Sequence, residues 1–277
     1  MTISEKQAKR LSVKEKTQWS PYLEKCCLLL SANESYQRAE EDIKVLTGME
    51  VSHGTQQRMV HRQTFDLPQE EQETAEMSID GGKVRLRTPL GKPCQWRDYK
   101  AVNLHEQAKA AFFQDNESLV EWVNQQPLAN PLICLGDGHC GIWNIFAKIG
   151  NKYQRREILD WYHLVENLGK VGGSQQRLDQ VEALLWKGRV DEAIQEFSDW
   201  KHENVDKFIN YLQEHRERIV NYDYFQTEGV SIGSGAIEST LKQIGRRLKI
   251  AGAQWKTDNV PQVLRHRCAY LNGQFSA

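Results

Sequence analysis

The chain has 277 residues, of which 39% are hydrophobic and 26% charged, and its 36 Lys and Arg against 37 Asp and Glu leave a formal net charge of -1. That is the make-up of a soluble globular protein, with room for one large domain carrying an insertion or for a domain and a small module. No 18-residue apolar run is present to span a membrane, the first residues lack the apolar core of a secretory signal, and near-neutral charge means that any affinity for nucleic acid must come from local patches.

From the N-terminus, the pattern predicts a helix over Leu11–Ala32, with Trp19, Tyr22, Leu23 and Cys26 or Cys27 near one apolar stripe. A second helix over Tyr36–Leu46 is ended by Thr47-Gly48, and a third runs through Gln56–Arg62. Helix, glycine turn and short helix resemble a helix-turn-helix, and a small helical packing module fits the same pattern. An acidic linker, Asp66–Glu76, follows. Strands are expected at Glu76–Asp80, Lys83–Thr88 and Gln95–Leu104, then a helix near Ser118–Gln126, a buried strand at Pro131–Leu135, a helix at Gly141–Ile149 and a strand at Arg156–Leu159. Residues 175–224 read as helical and precede a last helix bearing Ile237, Leu241, Ile244 and Leu248 on one face. Strands first, then alternation with helices, indicate an α/β fold with a mixed sheet. The boundaries are a helical module at 1–65, which is a possible DNA-binding module, and a second domain at 76–277 with a helical insertion at about 170–228. The six cysteines, without a signal peptide, read as reduced and buried thiols.

Charge is unevenly spread. Residues 66–80 hold six acids and no Lys or Arg, whereas 83–100 hold six Lys and Arg against Asp98 alone. Residues 182–223 hold ten acids against six bases, and 238–277 hold seven bases against two acids. A polyanion lying across one face would suit the basic stretches, which would converge while the acidic insertion turns away or acts as a flap. Clustered solvated faces would give the same statistics.

Three acids stand in distinctive settings: Asp80 in Ser-Ile-Asp-Gly-Gly, Asp137 in Leu-Gly-Asp-Gly-His and Glu238 in Gly-Ser-Gly-Ala-Ile-Glu-Ser. Carboxylates brought together from two strand ends and a helix start would make an oxygen-rich pocket suited to Mg²⁺, and two such ions can flank a phosphodiester. Each acid also has a structural explanation: a hairpin turn at Asp80-Gly81-Gly82, a strand end at Asp137-Gly138, and for Glu238 a first-turn acid paired with Lys242. The ordered set favours the site, since ligands of open α/β sheets gather at strand C-terminal ends. Asp160 and His163, three apart in Asp-Trp-Tyr-His, share one helical face. They are too few for a zinc site, and a hydrogen-bonded pair explains them equally. Trp161 and Tyr162 suit base stacking or the core, with at least one expected in the core.

Taken in order, these segments resemble the DDE transposases of bacterial insertion sequences, most closely the ISKra-type group related to the Mutator branch. In that branch a Cys- or Asp-x-x-His element stands between the second Asp and the Glu, as Asp160 and His163 do here, and a Gly-x-x-Trp segment follows the Glu helix, as in Gly252-Ala253-Gln254-Trp255. The resemblance covers roughly residues 17–272. It implies an RNase H-like catalytic domain in which Asp80, Asp137 and Glu238 form the metal-binding triad, with a helical insertion before the last catalytic helix and Asp160 and His163 in support. It also implies two Mg²⁺ or Mn²⁺ ions, double-stranded DNA of element ends and target as partner, a homo-oligomer on DNA with no membrane partner, and a cytoplasmic, nucleoid-associated location. Such transposases commonly carry a cysteine-bearing, zinc-ribbon-like segment ahead of the helical module. This sequence has no Cys-x-x-Cys, and adjacent Cys26 and Cys27 cannot substitute. The expectations are a truncated copy, one product of a split reading frame, or a lineage that finds its DNA differently.

The activity implied is metal-dependent DNA cleavage followed by strand transfer, in which positioning and charge neutralisation carry the catalysis. Arg85, Arg87, Lys242, Arg246, Arg247 and Lys249 are the candidate DNA-binding residues, with surface solubility as their alternative role. An RNase H-like nuclease would use the same metal site without strand transfer, and a transposase-derived DNA-binding protein would need no metal. Inverted repeats beside the gene would favour a mobile element over both.

Overall fold

The structure, a computed structural model, describes residues 5–10, 19–105 and 107–275. A short helix, α1 (Glu5–Arg10), comes first. The next three, α2 (Pro21–Ser31), α3 (Tyr36–Thr47) and α4 (His53–Arg62), begin where the hydroxyls of Ser20, Ser35 and Ser52 accept the backbone N–H three residues on. The helix expected over Leu11–Ala32 is present from Pro21; positions 11–18 of that expectation lie outside the described residues. Leu23, Cys27, Leu28, Ile43, Met59 and Val60 form the core of the three helices.

The sheet has five strands: β1 (Thr74–Leu86), β2 (Gln95–Leu104), β3 (Ala108–Phe113), β4 (Leu128–Gly136) and β5 (Arg155–Leu159). Their spatial order is β3-β2-β1-β4-β5. Strand β2 is antiparallel to both neighbours, whereas β1, β4 and β5 are mutually parallel. The fold is therefore α/β with a mixed sheet.

Two strand expectations change. Glu76–Asp80 and Lys83–Thr88 are one continuous strand, in which Gly81 and Gly82 pair with Lys100 and Tyr99 rather than forming a hairpin turn. Strand β3 was not anticipated: its Ala-Lys-Ala-Ala sequence favours helix, but Ala108, Ala110 and Ala111 are buried, small enough for helices to lie close against this edge strand.

Around the sheet run α5 (Asn116–Asn124), α6 (Cys140–Phe146), α7 (Trp161–Gly169), α8 (Gln175–Trp186), α9 (Val190–Gln195), α10 (Glu203–Glu214), α11 (Tyr222–Thr227), α12 (Gly235–Leu248) and α13 (Val260–Leu271). The last is a helix that the pattern did not single out. Side chains alternate across β1. Met77 and Ile79 join the larger core, which also contains the buried residues of α5 to α10, while Val84 and Leu86 join a second core with α12 and α13. Asp80 belongs to the same even-numbered series as Val84 and Leu86.

The N-terminal helices are tied to this second layer through the open end of α2. Carbonyls at its C-terminal end accept from Arg247 Nε (to Ser31, 2.6 Å), from His266 Nε2 (to Leu28, 2.9 Å, which also accepts from the Ala32 N–H) and from Arg267 Nη1 (to the capping Ala32, 3.1 Å). All six cysteines are free, but only Cys27, Cys134 and Cys268 are buried; Cys94 and Cys140 are exposed and Cys26 lies between. Among the described residues no helix is long and apolar enough to cross a membrane.

Candidate active site

The parallel pairing of β1 with β4 aligns Met77 with Cys134 and Ser78 with Leu135. Beyond the last of these pairs, continuing the register by two residues leads to Asp80 and Asp137, and the Asp137 charge acts on Asp80. Strand β5 pairs Leu159 with Gly136, so Asp160 follows next to Asp137. Asp80 in β1 and Asp137 and Asp160 just after β4 and β5 thus lie toward the same end of three neighbouring parallel strands. Asp137 and Asp160 immediately follow their strands, as expected, whereas Asp80 sits within β1, where pairing with β4 stops and pairing with β2 continues.

The glycines around these acids answer to close contacts. A Cβ at Gly82 would lie 2.2 Å from Cζ of the buried Tyr99 ring on β2. Gly138 has φ +91°, and a Cβ there would lie 2.6 Å from the Tyr211 hydroxyl of α10. The acidic insertion is therefore not turned away from the site: Tyr211 packs against the loop that carries Asp137, and His215 lies beside Tyr211 with ring centroids 4.7 Å apart. The loop is braced from within by His139 N–H donating to Asp137 Oδ1 (2.9 Å), while His139 Nδ1 caps α6 by accepting from Gly141 N–H (3.0 Å).

Asp160 is fully buried and joins three segments. Its backbone N–H donates to Gly136 O at the end of β4 (2.8 Å), Oδ1 caps α7 by accepting from His163 N–H (2.8 Å), and Oδ2 accepts from Ser234 N–H just ahead of α12. Trp161 N–H donates to Ile232 O (2.9 Å), and the exposed Tyr162 ring lies against Gly233. The Asp-Trp-Tyr-His and Gly-Ser-Gly segments therefore form one unit, which fixes the start of the Glu238 helix against the sheet. Trp161 is in the core among Trp186 and Tyr222, as one of the two aromatics was expected to be.

His163 is the common neighbour of the acids. The Asp160 carboxylate, 3.4 Å from Nδ1, pushes the imidazole up to about 9 against the opposing effect of burial, and the charges of Asp137 and Glu238 act in the same direction. Nδ1 makes an ion-pair contact without the alignment of a hydrogen bond. Burial would raise Asp160, but the His163 and Ser234 hydrogen bonds outweigh it and hold the carboxyl below its usual range. Asp80 is shifted up, first by burial and then by Asp137, against lowering by the Gly81 N–H, His163 and Lys100. Lys100 and Tyr211 are site neighbours that sequence reading did not pick out. Lys100 could have been found from the β1–β2 register; nothing local marks Tyr211.

Among the described residues no three His, Cys, Asp or Glu side chains are gathered tightly enough to hold an ion as they stand. The donor set, all carboxylate oxygen, still fits a hard divalent cation, and burial together with the neighbouring Asp137 raises Asp80. Glu238, half-buried in the first turn of α12, is held by Lys242 Nζ at 3.4 Å.

The basic residues divide. Lys242, Arg246 and Lys249 are exposed on α12. Arg85 alternates with Val84 and Leu86, which puts it on the face of β1 turned from α12, where its Nη2 contacts Cys94 Sγ at 2.7 Å; it does not converge with the α12 bases. Arg87 is exposed beyond the strand. Arg247, expected as a surface phosphate contact, is only 2% exposed. It lies on the buried stripe of α12 and is engaged with the N-terminal helices. Comparison of the chain with protein families and with curated proteins gives no match.

Proposed function

We propose that the chain is a DDE transposase of the ISKra-like kind, which cleaves DNA at the ends of an insertion sequence and transfers the freed strand to a target. The observation that carries this reading is that Asp80 in β1 and Asp137 just after the adjacent parallel β4 act on each other, with His163 within the field of both and of Glu238. A sheet of order 3-2-1-4-5, with β2 alone reversed, supports an RNase H-like catalytic domain over 76–277 interrupted by the insertion at about 170–228. The helical module at 1–65 would add DNA contacts.

Asp80, Asp137 and Glu238 would hold two Mg²⁺ or Mn²⁺ ions, which when bound supply charge stabilisation to the attacking and leaving oxygens of a phosphodiester. The chain's own residues set the geometry. Asp160 fixes the α12 start against β4 and β5, and His163 keeps a positive charge beside the carboxylates. Lys242, Arg246 and Lys249 offer exposed cations to the DNA backbone along the helix that carries Glu238.

The test is Mg²⁺-dependent cleavage and joining of DNA that carries the sequences flanking the gene on both sides. Asp80→Asn, Asp137→Asn and Glu238→Gln should each lower cleavage by about a thousandfold or more, the equivalent of several kcal/mol of lost charge stabilisation, with unchanged circular dichroism. Full activity in any one of the three variants rejects the triad. Cleavage without joining would assign the site to a nuclease.

A further inference from the structure

The chain has a second polar site, at the junction between the N-terminal helices and the far end of α12. A cavity of about 390 Å³ lies there, lined by the start of α3, by Arg87, by Arg247 and by the segment 250–256. The bases Arg87, Arg247 and Lys256 face it, and no carboxylate lines it. No residue of the Asp80, Asp137 and Glu238 group takes part.

Arg247 is the central observation. Its Nε is used by Ser31 O, and its guanidinium lies between the Tyr36 and Trp255 rings, 5.0 and 4.9 Å from their centroids. This leaves Nη2 buried without a hydrogen-bond partner, and the Tyr36 hydroxyl on the same cavity is likewise buried and unpartnered. The two groups lie close enough to act on each other, but neither reaches hydrogen-bond geometry; buried charged donors are normally satisfied, so an acceptor entering the cavity would complete Nη2. Burial depresses Arg247, Tyr36 opposes this, the nearby Arg267 adds to the depression, and Glu34 supplies some compensation from outside the lining.

The walls are fixed in advance. Trp255 N–H donates to Arg85 O (3.1 Å), Arg87 N–H donates to Trp255 O (2.8 Å), and Trp255 Nε1 donates to Leu248 O (3.0 Å). The Gly252-Ala253-Gln254-Trp255 segment is thereby attached to the end of β1, beside Arg87, which lines the same cavity as Arg247. Ser35 and Tyr36 bring the N-terminal end of the 12-residue α3, with its positive dipole, to the same cavity. Planar guanidinium donors, an ammonium, a phenol and a helix start together suit a tetrahedral oxyanion.

We propose that this cavity is a phosphate-binding site, with Arg247 as its buried ligand and Arg87 and Lys256 as its outer ones. A free phosphate and a backbone phosphate of nucleic acid share the required chemistry. The experiment is calorimetric titration of the whole protein with inorganic phosphate at constant ionic strength in chloride, and separately with a short DNA duplex. Wild type should bind one phosphate, and Arg247→Lys should weaken it about tenfold or more, since an ammonium cannot reproduce the fork. Because Arg247 is buried and its variant can misfold, the exposed pair Arg87→Gln and Lys256→Gln provides the second arm, with the same direction of effect. If phosphate binds and DNA does not compete, the ligand is a free phosphate. If DNA competes, or if DNA alone binds and the outer variants weaken it, the ligand is a backbone phosphate. Absence of phosphate binding together with DNA binding unaltered by the Arg87 and Lys256 changes would overturn the proposal.

Discussion

Replacing Asp160 by Ala should destabilise the protein more than any other single change near the acids. The carboxylate is fully buried, and its two oxygens satisfy two backbone donors, the part-buried His163 N–H and the buried Ser234 N–H. Leaving a buried donor unsatisfied costs about 1–3 kcal/mol, so two give roughly 2–6 kcal/mol, with the loss of the α7 cap contained in the first of them. Against a typical total of about 5–15 kcal/mol, a loss near 4 would be a large fraction. Asp160→Asn keeps one acceptor but turns an NH₂ toward the other donor, and should fall about midway between wild type and Asp160→Ala. Urea unfolding followed by circular dichroism gives both differences by linear extrapolation. Hydrogen exchange should show the Ser234 and His163 amides losing protection ahead of the β4 amides. A loss below about 1 kcal/mol in Asp160→Ala, or unchanged protection at Ser234, would refute the view that this side chain fastens α12 to the sheet.

His266, buried between Phe65 and Phe275, is pushed down to about 3, mainly by burial. The unfolded chain takes up a proton that the folded one refuses, so the stability His266 contributes is complete above about pH 6.5 and falls with pH from there to about 3; at pH 5 wild type should have lost about 2 kcal/mol relative to His266→Phe, and parallel pH profiles would disprove it. Gly82→Ala should destabilise by about 2 kcal/mol through the clash with Tyr99. That penalty should vanish in a Tyr99→Ala background, and additivity of the two changes would rule the clash out. Replacing exposed Arg246 and Lys249 together with Ala should flatten the log–log salt dependence of DNA binding by up to about 1.8; an unchanged slope would leave them as solubilising residues.

Much of this was legible from local pattern. Asp137, Asp160 and Glu238 sit beside strand and helix signals that the structure reproduces to within a few residues, because each element is buried on a face its own periodicity declares. Asp80, expected at the end of a strand, lies in the middle of one. Asp-Gly-Gly reads as a turn from propensity alone, and only the Tyr99 ring crossing from β2 explains why two glycines continue a strand. Tyr211 was invisible, since its contact with Gly138 depends on how the insertion folds back. Arg247 could have been found. The buried positions of α12, Ile237, Thr240, Ile244, Arg247 and Leu248, follow helical spacing, and Arg247 falls on that stripe at three residues from Ile244. Treating every arginine of a basic segment as surface overrode the period.

The Asp-x-x-His spacing acquires a physical meaning from the Asp160 contacts. An N-cap carboxylate accepts the N–H of the third residue on, so a capping Asp necessarily has the side chain at that position as a neighbour on the same turn. Here the residue is His163, and its ring faces the acids. The second carboxylate oxygen, unused by the cap, reaches Ser234 N–H, and four residues later α12 presents Glu238. One buried side chain thus links the positions of His163 and Glu238 through backbone hydrogen bonds rather than through long, rotatable side chains. Such preorganisation is what a site that works by charge placement requires, because displacement of about 1 Å can cost a hundredfold in rate. By the same argument, Tyr162 should tolerate substitution better than Asp160. Tyr162 needs only a flat surface to lie against Gly233, whereas Asp160 must satisfy two donors at once, so substitutions at the two positions should differ sharply in effect despite their being two residues apart.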